Sequence, residues 1–115
     1  MAEQTVTGPG QSPGSPTVVR VRLPTQLRAL AGVGAESVVS VPGPVTQRAV
    51  LDALEQDHPE LEGTVRDRTS GKRRPFIRFF VGESDLSHDE PDDLLPAAVA
   101  EGREPLVVIG AMAGG

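Results

Sequence analysis

One helix pattern among several short strand patterns is the feature that most limits how this chain can fold. Thr46 is a suitable N-cap, and Pro59 ends the segment because the residue before a proline is disfavoured in a helix. Four apolar residues fall on one face: Ala49, Val50, Ala53 and Leu54. Five polar residues are expected to point the other way: Gln47, Arg48, Asp52, Glu55 and Gln56. A single helix of this length can pack against only one face of a small sheet, so we predict that the other face is not covered by a helix.

Short apolar runs on both sides of this helix predict the strands. Residues 17–23 alternate apolar and polar side chains, and residues 36–41 form a second β-branched run, so the two predict an antiparallel hairpin. Residues 76–81 and 105–109 predict two further strands. Residues 26–31 predict a short turn closed by glycines, and residues 94–100 a short helical segment. The fold class is therefore α+β, with a mixed sheet of four to five strands packed on one main helix.

Composition excludes several kinds of chemistry. The chain has 115 residues and no cysteine, so disulfides, thiolate metal sites and cysteine nucleophiles are excluded. Its net charge of −5 argues against nucleic acid and anionic membranes as partners. A basic run in residues 66–78 precedes an acidic run in residues 83–93, which favours oriented docking to a protein. The absence of a signal-peptide pattern or a long apolar run leads us to expect a cytoplasmic protein.

The two ends of the chain differ in composition from its middle. Residues 1–16 are rich in glycine and proline and poor in aliphatic residues, which predicts a flexible N-terminal tail. Residues 17–110 carry the strand and helix patterns and form the predicted domain. Residues 111–115, AMAGG, form a predicted flexible C-terminal tail that ends in two glycines.

The usual catalytic and metal-binding motifs do not appear. Gly71-Lys72 is not followed by serine or threonine, so it is not a phosphate-binding loop. The stretch HDEPDD (88–93) lacks the spacing of a calcium loop, and a solvated acidic loop is the simpler interpretation. His58 and His88 lie in separate elements without triad order. We therefore predict no catalytic residue, no metal site and no bound cofactor, and hence no enzyme activity of its own.

The C-terminal Gly114-Gly115 is the feature that carries chemistry. Glycine has no Cβ, so a diglycine tail can thread a narrow channel and present a carboxylate to a distant reacting centre. Adenylation with ATP would convert the Gly115 carboxylate into a mixed anhydride open to a sulfur or amine nucleophile. A frayed or truncated end is the competing interpretation.

Four segments of the chain resemble the ThiS/MoaD family of ubiquitin-like sulfur-carrier proteins. They are VRVRLPTQLRALAG (19–32), VLDALEQDHPEL (50–61), RPFIRFFVGESDL (74–86) and VVIGAMAGG (107–115). The resemblance implies the β-grasp fold. It also implies that a ThiF/MoeB-type enzyme consumes ATP to adenylate Gly115, which then becomes a thiocarboxylate that gives its sulfur to a biosynthetic enzyme. Ala113 and Gly114 would thread into the partner's active site.

The chain departs from the family pattern at two places, which leaves open which enzyme receives the sulfur (the client enzyme). Gly110-Ala111-Met112 stands where the family commonly has Pro-Ala-Val, and Gly102-Arg103 where it often has Gly-Asp. The client could serve synthesis of cysteine, thiamin thiazole, molybdopterin or a sulfur-containing natural product. Residues 66–76, RDRTSGKRRPF, resemble carriers of actinobacterial cysteine synthesis.

A docking surface is predicted on one face of the third strand. Phe76, Arg78 and Phe80 alternate with a more apolar face, and aromatic residues around an arginine are typical of interface centres. Met112 of the tail is expected to join them. Cover by the C-terminal segment is the alternative explanation for these aromatic residues.

Three other functions remain open beside the sulfur carrier. The chain could be the small subunit of a molybdopterin synthase, a ubiquitin-like protein modifier, or a β-grasp interaction module with no covalent role. Lys72 is the only lysine, which argues against chain building by a modifier. We expect a monomer when the protein is free.

Overall fold

Five strands form one mixed sheet in the order β2-β1-β5-β3-β4. The computed structural model describes residues 16–110. The strands are β1 (Thr17–Arg22), β2 (Glu36–Val41), β3 (Ile77–Val81), β4 (Ser84–Asp85) and β5 (Leu106–Gly110). The helices are α1 (Thr25–Ala31), α2 (Gln47–Asp57) and α3 (Ala97–Ala100), and a 3₁₀ turn covers Pro59–Leu61. The predicted α+β architecture is confirmed, with five strands around one main helix.

The predicted hairpin of β1 and β2 is present. The two strands pair antiparallel over their whole length, from Thr17 opposite Val41 to Arg22 opposite Glu36. β1 also pairs with β5 in parallel, and β5 pairs with β3 antiparallel. β5 is therefore the central strand, held by β1 on one side and β3 on the other.

The core lies between one face of the sheet and α2. Val19, Phe79 and Leu106 come from three strands and are fully buried there. Leu54 of α2 is also fully buried, and burial of one such side chain contributes about 1.5–3 kcal/mol. Thr46 caps α2 as predicted, since its hydroxyl accepts a hydrogen bond from the Ala49 N–H at 3.0 Å.

The buried face of α2 is rotated from the predicted one. The helix buries Gln47, Val50, Leu51 and Leu54, while Ala49 and Ala53 are only half-buried. The prediction for Gln47 is therefore wrong, because this residue is 6% exposed at the first turn. The segment Asp92–Leu95 folds over that turn, and the Arg48 N–H donates to the Pro91 carbonyl at 2.9 Å.

The turn predicted at residues 26–31 is a helix instead. These residues belong to α1, which ends at Gly32 with a left-handed φ of 71°. After β3 the chain turns at Gly82, and Ser84–Asp85 pair with β3 as strand β4. Within residues 16–110, no helix has the length and apolarity needed to cross a lipid bilayer.

Candidate functional site

The predicted C-terminal tail begins where the central strand ends. Gly110, the last residue of β5, lies opposite Ile77, the first residue of β3. The tail residues proposed to react or to thread into a partner (Ala113, Gly114 and Gly115) lie outside the described residues, as does Met112. The structure thus gives the last strand residue before the predicted tail, Gly110.

Two of the three predicted docking residues in the body of the protein, Arg78 and Phe80, lie on one face of β3. The strand predicted over residues 76–81 begins at Ile77, and Phe76 lies in the turn that precedes it. Ile77, Phe79 and Val81 of β3 are buried against the core. The alternate positions therefore face away from α2, and we call this side of the sheet the open face. Phe76 is 44% exposed, Arg78 is exposed and Phe80 is half-buried. The predicted alternation along β3 is confirmed, while its role in docking stays a prediction.

Neighbouring strands extend this open face with aliphatic side chains that the sequence analysis did not single out. Ile109 lies opposite Arg78, and Val107 lies opposite Phe80. Opposite residues of an antiparallel pair share a face, so these four side chains form one patch beside the end of β5. Val18 and Val38 add exposed aliphatic surface on β1 and β2. Their positions could have been predicted, because alternate residues of a strand point to the same face of the sheet.

Arginines set the charge of the open face. Arg22 lies opposite Val107 in the parallel pair of β1 and β5, and is exposed. Arg20 pairs with Glu36 at 3.1 Å and also donates to the Gly102 carbonyl at 3.0 Å. Arg78 pairs with Asp85 at 3.1 Å. The open face therefore presents apolar residues among arginines, two of which are paired with carboxylates of the same domain. A partner with apolar side chains and an acidic group to meet an arginine would suit this arrangement.

The basic run of residues 66–78 is not the continuous patch that its sequence suggests. Arg66 pairs with Glu55 at 2.9 Å and with Asp52, and only 13% of its side chain is exposed. Arg73 donates to the carbonyls of Ser87 and Ile77 at 2.9 and 2.6 Å. Arg66 and Arg73 thus hold loops against the domain. Only the other basic residues of this run can belong to the predicted docking patch.

The acidic run of residues 83–93 is largely exposed, and two of its carboxylates have fixed partners. The Ser87 side chain, the Ser87 N–H and, more weakly, Arg78 lower the pKa of Asp85. The Arg48 guanidinium lowers the pKa of Asp92 through two hydrogen bonds, at 2.6 and 3.2 Å. Among residues 16–110, no group of three His, Asp or Glu side chains is placed to hold a metal ion.

Two polar grooves lie away from the open face, beside α2. One of about 450 Å³ is lined by α2 and residues 62–71, and a neighbouring one of about 490 Å³ by the start of α2 with residues 70–73 and 87–91. His88 lines the second groove, whereas His58 follows the end of α2. The two histidines are thus not brought together, and the candidate site remains the end of β5 with the open face beside it.

Comparisons with known proteins identify the fold. No protein-family model matches the chain, and no curated protein matches its sequence. The crystal structure of SAMP1 from Haloferax volcanii aligns with a TM-score of 0.65 and 23% identity, over 85% of this chain and 99% of that one. The solution structure of the small archaeal modifier protein 1 from Methanosarcina acetivorans aligns with a TM-score of 0.64 and 22% identity, over 89% and 100%.

A third structure with the same fold comes from a complex. A chain of the BexX/CysO complex from Amycolatopsis orientalis aligns with a TM-score of 0.63 and 23% identity, over 84% of this chain and 99% of that one. The alignments span nearly the whole length of these small proteins. Together with the observed sheet order, they show that this chain has the ubiquitin-like β-grasp fold.

Proposed function

We propose that this chain is a ubiquitin-like sulfur carrier of the ThiS/MoaD type, acting through the carboxylate of Gly115. The observation that carries the proposal is the position of Gly114-Gly115 in the sequence, five residues beyond the end of a central strand. A slender tail on a rigid strand suits a reaction in another protein's active site. The chain then acts as a co-substrate, and its partner enzymes supply the catalysis.

Two steps would load the sulfur. In the first, a ThiF/MoeB-type enzyme joins the Gly115 carboxylate to the α-phosphate of ATP, which forms an acyl adenylate and releases pyrophosphate. In the second, a sulfide or persulfide sulfur attacks the acyl carbon and AMP leaves. With hydrogen sulfide the products are a thiocarboxylate, AMP and protons; a persulfide needs a thiol reductant to release the thiocarboxylate. Both steps fit a cytoplasmic setting, where ATP is available.

Docking would use the open face. Phe76, Phe80, Val107 and Ile109 supply apolar contact beside the point where the tail leaves the sheet. Arg78 is placed among them and contributes a charge that an acidic partner residue can pair with. A partner that covers this patch and Met112 would receive the tail at the edge of the patch, so Ala113 and Gly114 would enter its active site.

The sulfur acceptor would be a biosynthetic enzyme. The resemblance of the sequence to sulfur carriers, and in residues 66–76 to those of cysteine synthesis, supports this proposal. One structure with the same fold was determined as a complex of two proteins, which supports docking of such a domain onto a partner. The acceptor could equally be a molybdopterin synthase, in which case this chain would co-purify with a larger subunit.

A protein modifier is the second candidate, and the names of two structures with this fold favour it. Both are small archaeal modifier proteins. A modifier would use the same acyl adenylate but transfer the acyl group to a lysine amine of another protein, with AMP leaving. High-mass adducts in a denatured cell lysate, with residues 104–115 left on target lysines after tryptic cleavage behind Arg103, would identify this function.

A tail deletion tests the sulfur-carrier proposal. Removal of Gly114 and Gly115 should abolish sulfur transfer to the client, a loss of at least about 100-fold, because no glycine carboxylate remains at the required reach. Affinity for the adenylating enzyme should change only severalfold, since the open face is intact. Undiminished sulfur transfer by the shortened protein would contradict the proposal and favour a non-covalent interaction module.

A further inference from the structure

The outer edge of β2 is a second surface on which this protein can receive a partner. β2 is six residues long and stands at the end of the sheet, next to β1 alone. A strand in that position leaves alternate backbone N–H and C=O groups directed outward without a strand partner. The opposite edge, β4, has only two residues. Within residues 16–110, β2 is thus the one long strand with an open edge.

This edge lacks the devices that commonly block strand addition. The segment ESVVSV contains no proline, lysine or glycine, and the β1–β2 register runs without an extra residue from one end to the other. Val38, on the open face of this strand, is 60% exposed. An incoming strand would therefore find a regular ladder with an aliphatic side chain beside it.

A groove on the helix side adjoins the same edge. It measures about 260 Å³ and lies between Ser40 and Pro42 of the β2 end and Ala49, Asp52, Ala53 and Gln56 of α2. Ala49 and Ala53 are small and half-buried, so they leave room for an apolar side chain. A strand added to β2 points alternate side chains toward α2, and one or two of them would enter this groove.

The charge around this groove indicates which kind of partner segment it would bind. Asp52 lines the groove with 61% of its side chain exposed, and it shares the Arg66 guanidinium with Glu55, so this group keeps one negative charge. Asp57 ends the same helix. The whole chain carries a net charge of −5, so a second copy would bring the same acidic groups to the edge. A partner segment with lysine or arginine beside its apolar residues would instead be attracted.

We propose that the β2 edge and its helix-side groove bind an extended segment of another protein in which apolar residues alternate and basic residues flank them. The segment adds as a sixth strand, its backbone pairs with β2, and an aliphatic side chain fills the space beside Ala49 and Ala53. This surface lies at the far end of the sheet from β3 and β4. A partner here could be held while the open face remains accessible.

Nuclear magnetic resonance with the full chain tests this proposal. The probe is the synthetic peptide acetyl-KRVTVTVKR-amide, and two matched peptides serve as controls: one with glutamate in place of each basic residue, and one with proline in place of the central valine. We expect amide shifts in residues 36–41 and in α2 with the probe, and slower hydrogen exchange in β2. Both control peptides should bind at least about tenfold more weakly.

Ala53→Gln and Ala100→Gln separate the groove from a general surface effect. Ala53 lines the groove, whereas Ala100 is exposed on α3. Ala53→Gln should weaken binding of the probe by about tenfold, and Ala100→Gln should leave it unchanged. Thermal unfolding of both variants shows that each is folded.

Four results would overturn the proposal. They are an absence of binding at about 1 mM probe, shifts centred on β3 and β5 instead of β2, unchanged affinity of Ala53→Gln, and a dimer without peptide that protects the β2 amides. None of these measurements involves Gly115, so a failure here is distinct from a failure of the sulfur-carrier proposal.

Discussion

Single side chains of the segment between α2 and β3 show how this domain uses its arginines. The Arg66 guanidinium donates to Glu55 at 2.9 and 3.0 Å, and also to Asp52. Burial by itself lowers the pKa of Arg66, but hydrogen bonds and the attraction of Glu55 and Asp52 outweigh it, and the pKa lies above its ordinary value. Arg66 is thus a structural cation that joins the loop to α2.

Loss of Arg66 should therefore be costly. Arg66→Ala leaves the Glu55 carboxylate, which is only 16% exposed, without its partner, and should lower the free energy of unfolding by about 2 kcal/mol. Arg68→Ala is the matched control, because Arg68 pairs with Glu62 at the surface and should cost less than about 0.5 kcal/mol. Urea unfolding of both variants measures the difference. Equal effects would contradict the structural role of Arg66.

Removal of a buried hydroxyl should stabilise the protein, unlike the loss of Arg66. Ser37 is 6% exposed, and its Oγ has no hydrogen-bond partner among the described residues. A buried polar group without a partner is destabilising, so Ser37→Ala should raise the free energy of unfolding by about 0.5–1 kcal/mol. Ser40→Ala, at an exposed position of the same strand, should leave it nearly unchanged. Destabilisation by Ser37→Ala would show that this hydroxyl is paired in solution.

At the scale of elements, strands and helix ends that have a local sequence signal could be predicted. Elements that depend on a turn or on distant residues could not. The bounds of β2 and the cap of α2 follow from a β-branched run and from Thr46, because both signals are local. β4 has two residues, too few for any alternation, and exists because Gly82 allows the chain to turn back with a φ of 59°. Gln47 is polar and is expected to be exposed from the sequence, but it is 6% exposed in the structure. Residues 91–95, more than forty positions further along the chain, are hydrogen-bonded to the residues beside it.

The acidic run of residues 83–93, which begins at β4, should make the free energy of unfolding depend on pH. Hydrogen bonds from Ser87 and attraction to Arg78 hold the pKa of Asp85 below its ordinary value. A carboxylate whose folded pKa is lowered stabilises the fold fully above the unfolded pKa of about 3.9, and this contribution is lost as pH falls from there through the folded pKa. Asp85→Asn should therefore flatten the decline of unfolding free energy below about pH 4.

Asp89→Asn is the control for this pH effect. Asp89 is exposed in the same loop and forms no ion pair within residues 16–110. Its replacement should leave the acid limb of the stability curve unchanged. An identical acid limb for Asp85→Asn and the parent protein would contradict the assigned role of Asp85.

At the scale of the whole molecule, the two faces of the sheet have different roles. One face packs on α2 and builds the core, while the other carries the apolar residues and arginines beside the end of β5. The alternation of side chains along β3 predicted these two faces, since Arg78 and Phe80 lie on the face opposite Ile77, Phe79 and Val81. Adjacency of β3 to β5 could not be predicted from it, because strand order is set by long-range pairing.

Docking should depend on the open face. Arg78→Glu reverses a charge within the apolar patch and should weaken binding to the adenylating enzyme by at least about tenfold. Leu94→Ala is the control, because Leu94 is 71% exposed outside this face. Titration calorimetry measures both affinities, with circular dichroism to verify folding. Equal affinities would place the docking surface elsewhere.

The central claim is that Gly115 becomes a thiocarboxylate. The most direct measurement is the intact mass of the protein after incubation with ATP, its adenylating enzyme and a sulfide source. We predict a gain of about 16 Da, from replacement of one carboxylate oxygen by sulfur, and a fragment spectrum that places it at Gly115. An extra alanine after Gly115 should prevent the gain. An unchanged mass with every ThiF/MoeB-type enzyme of the source cell would contradict the claim.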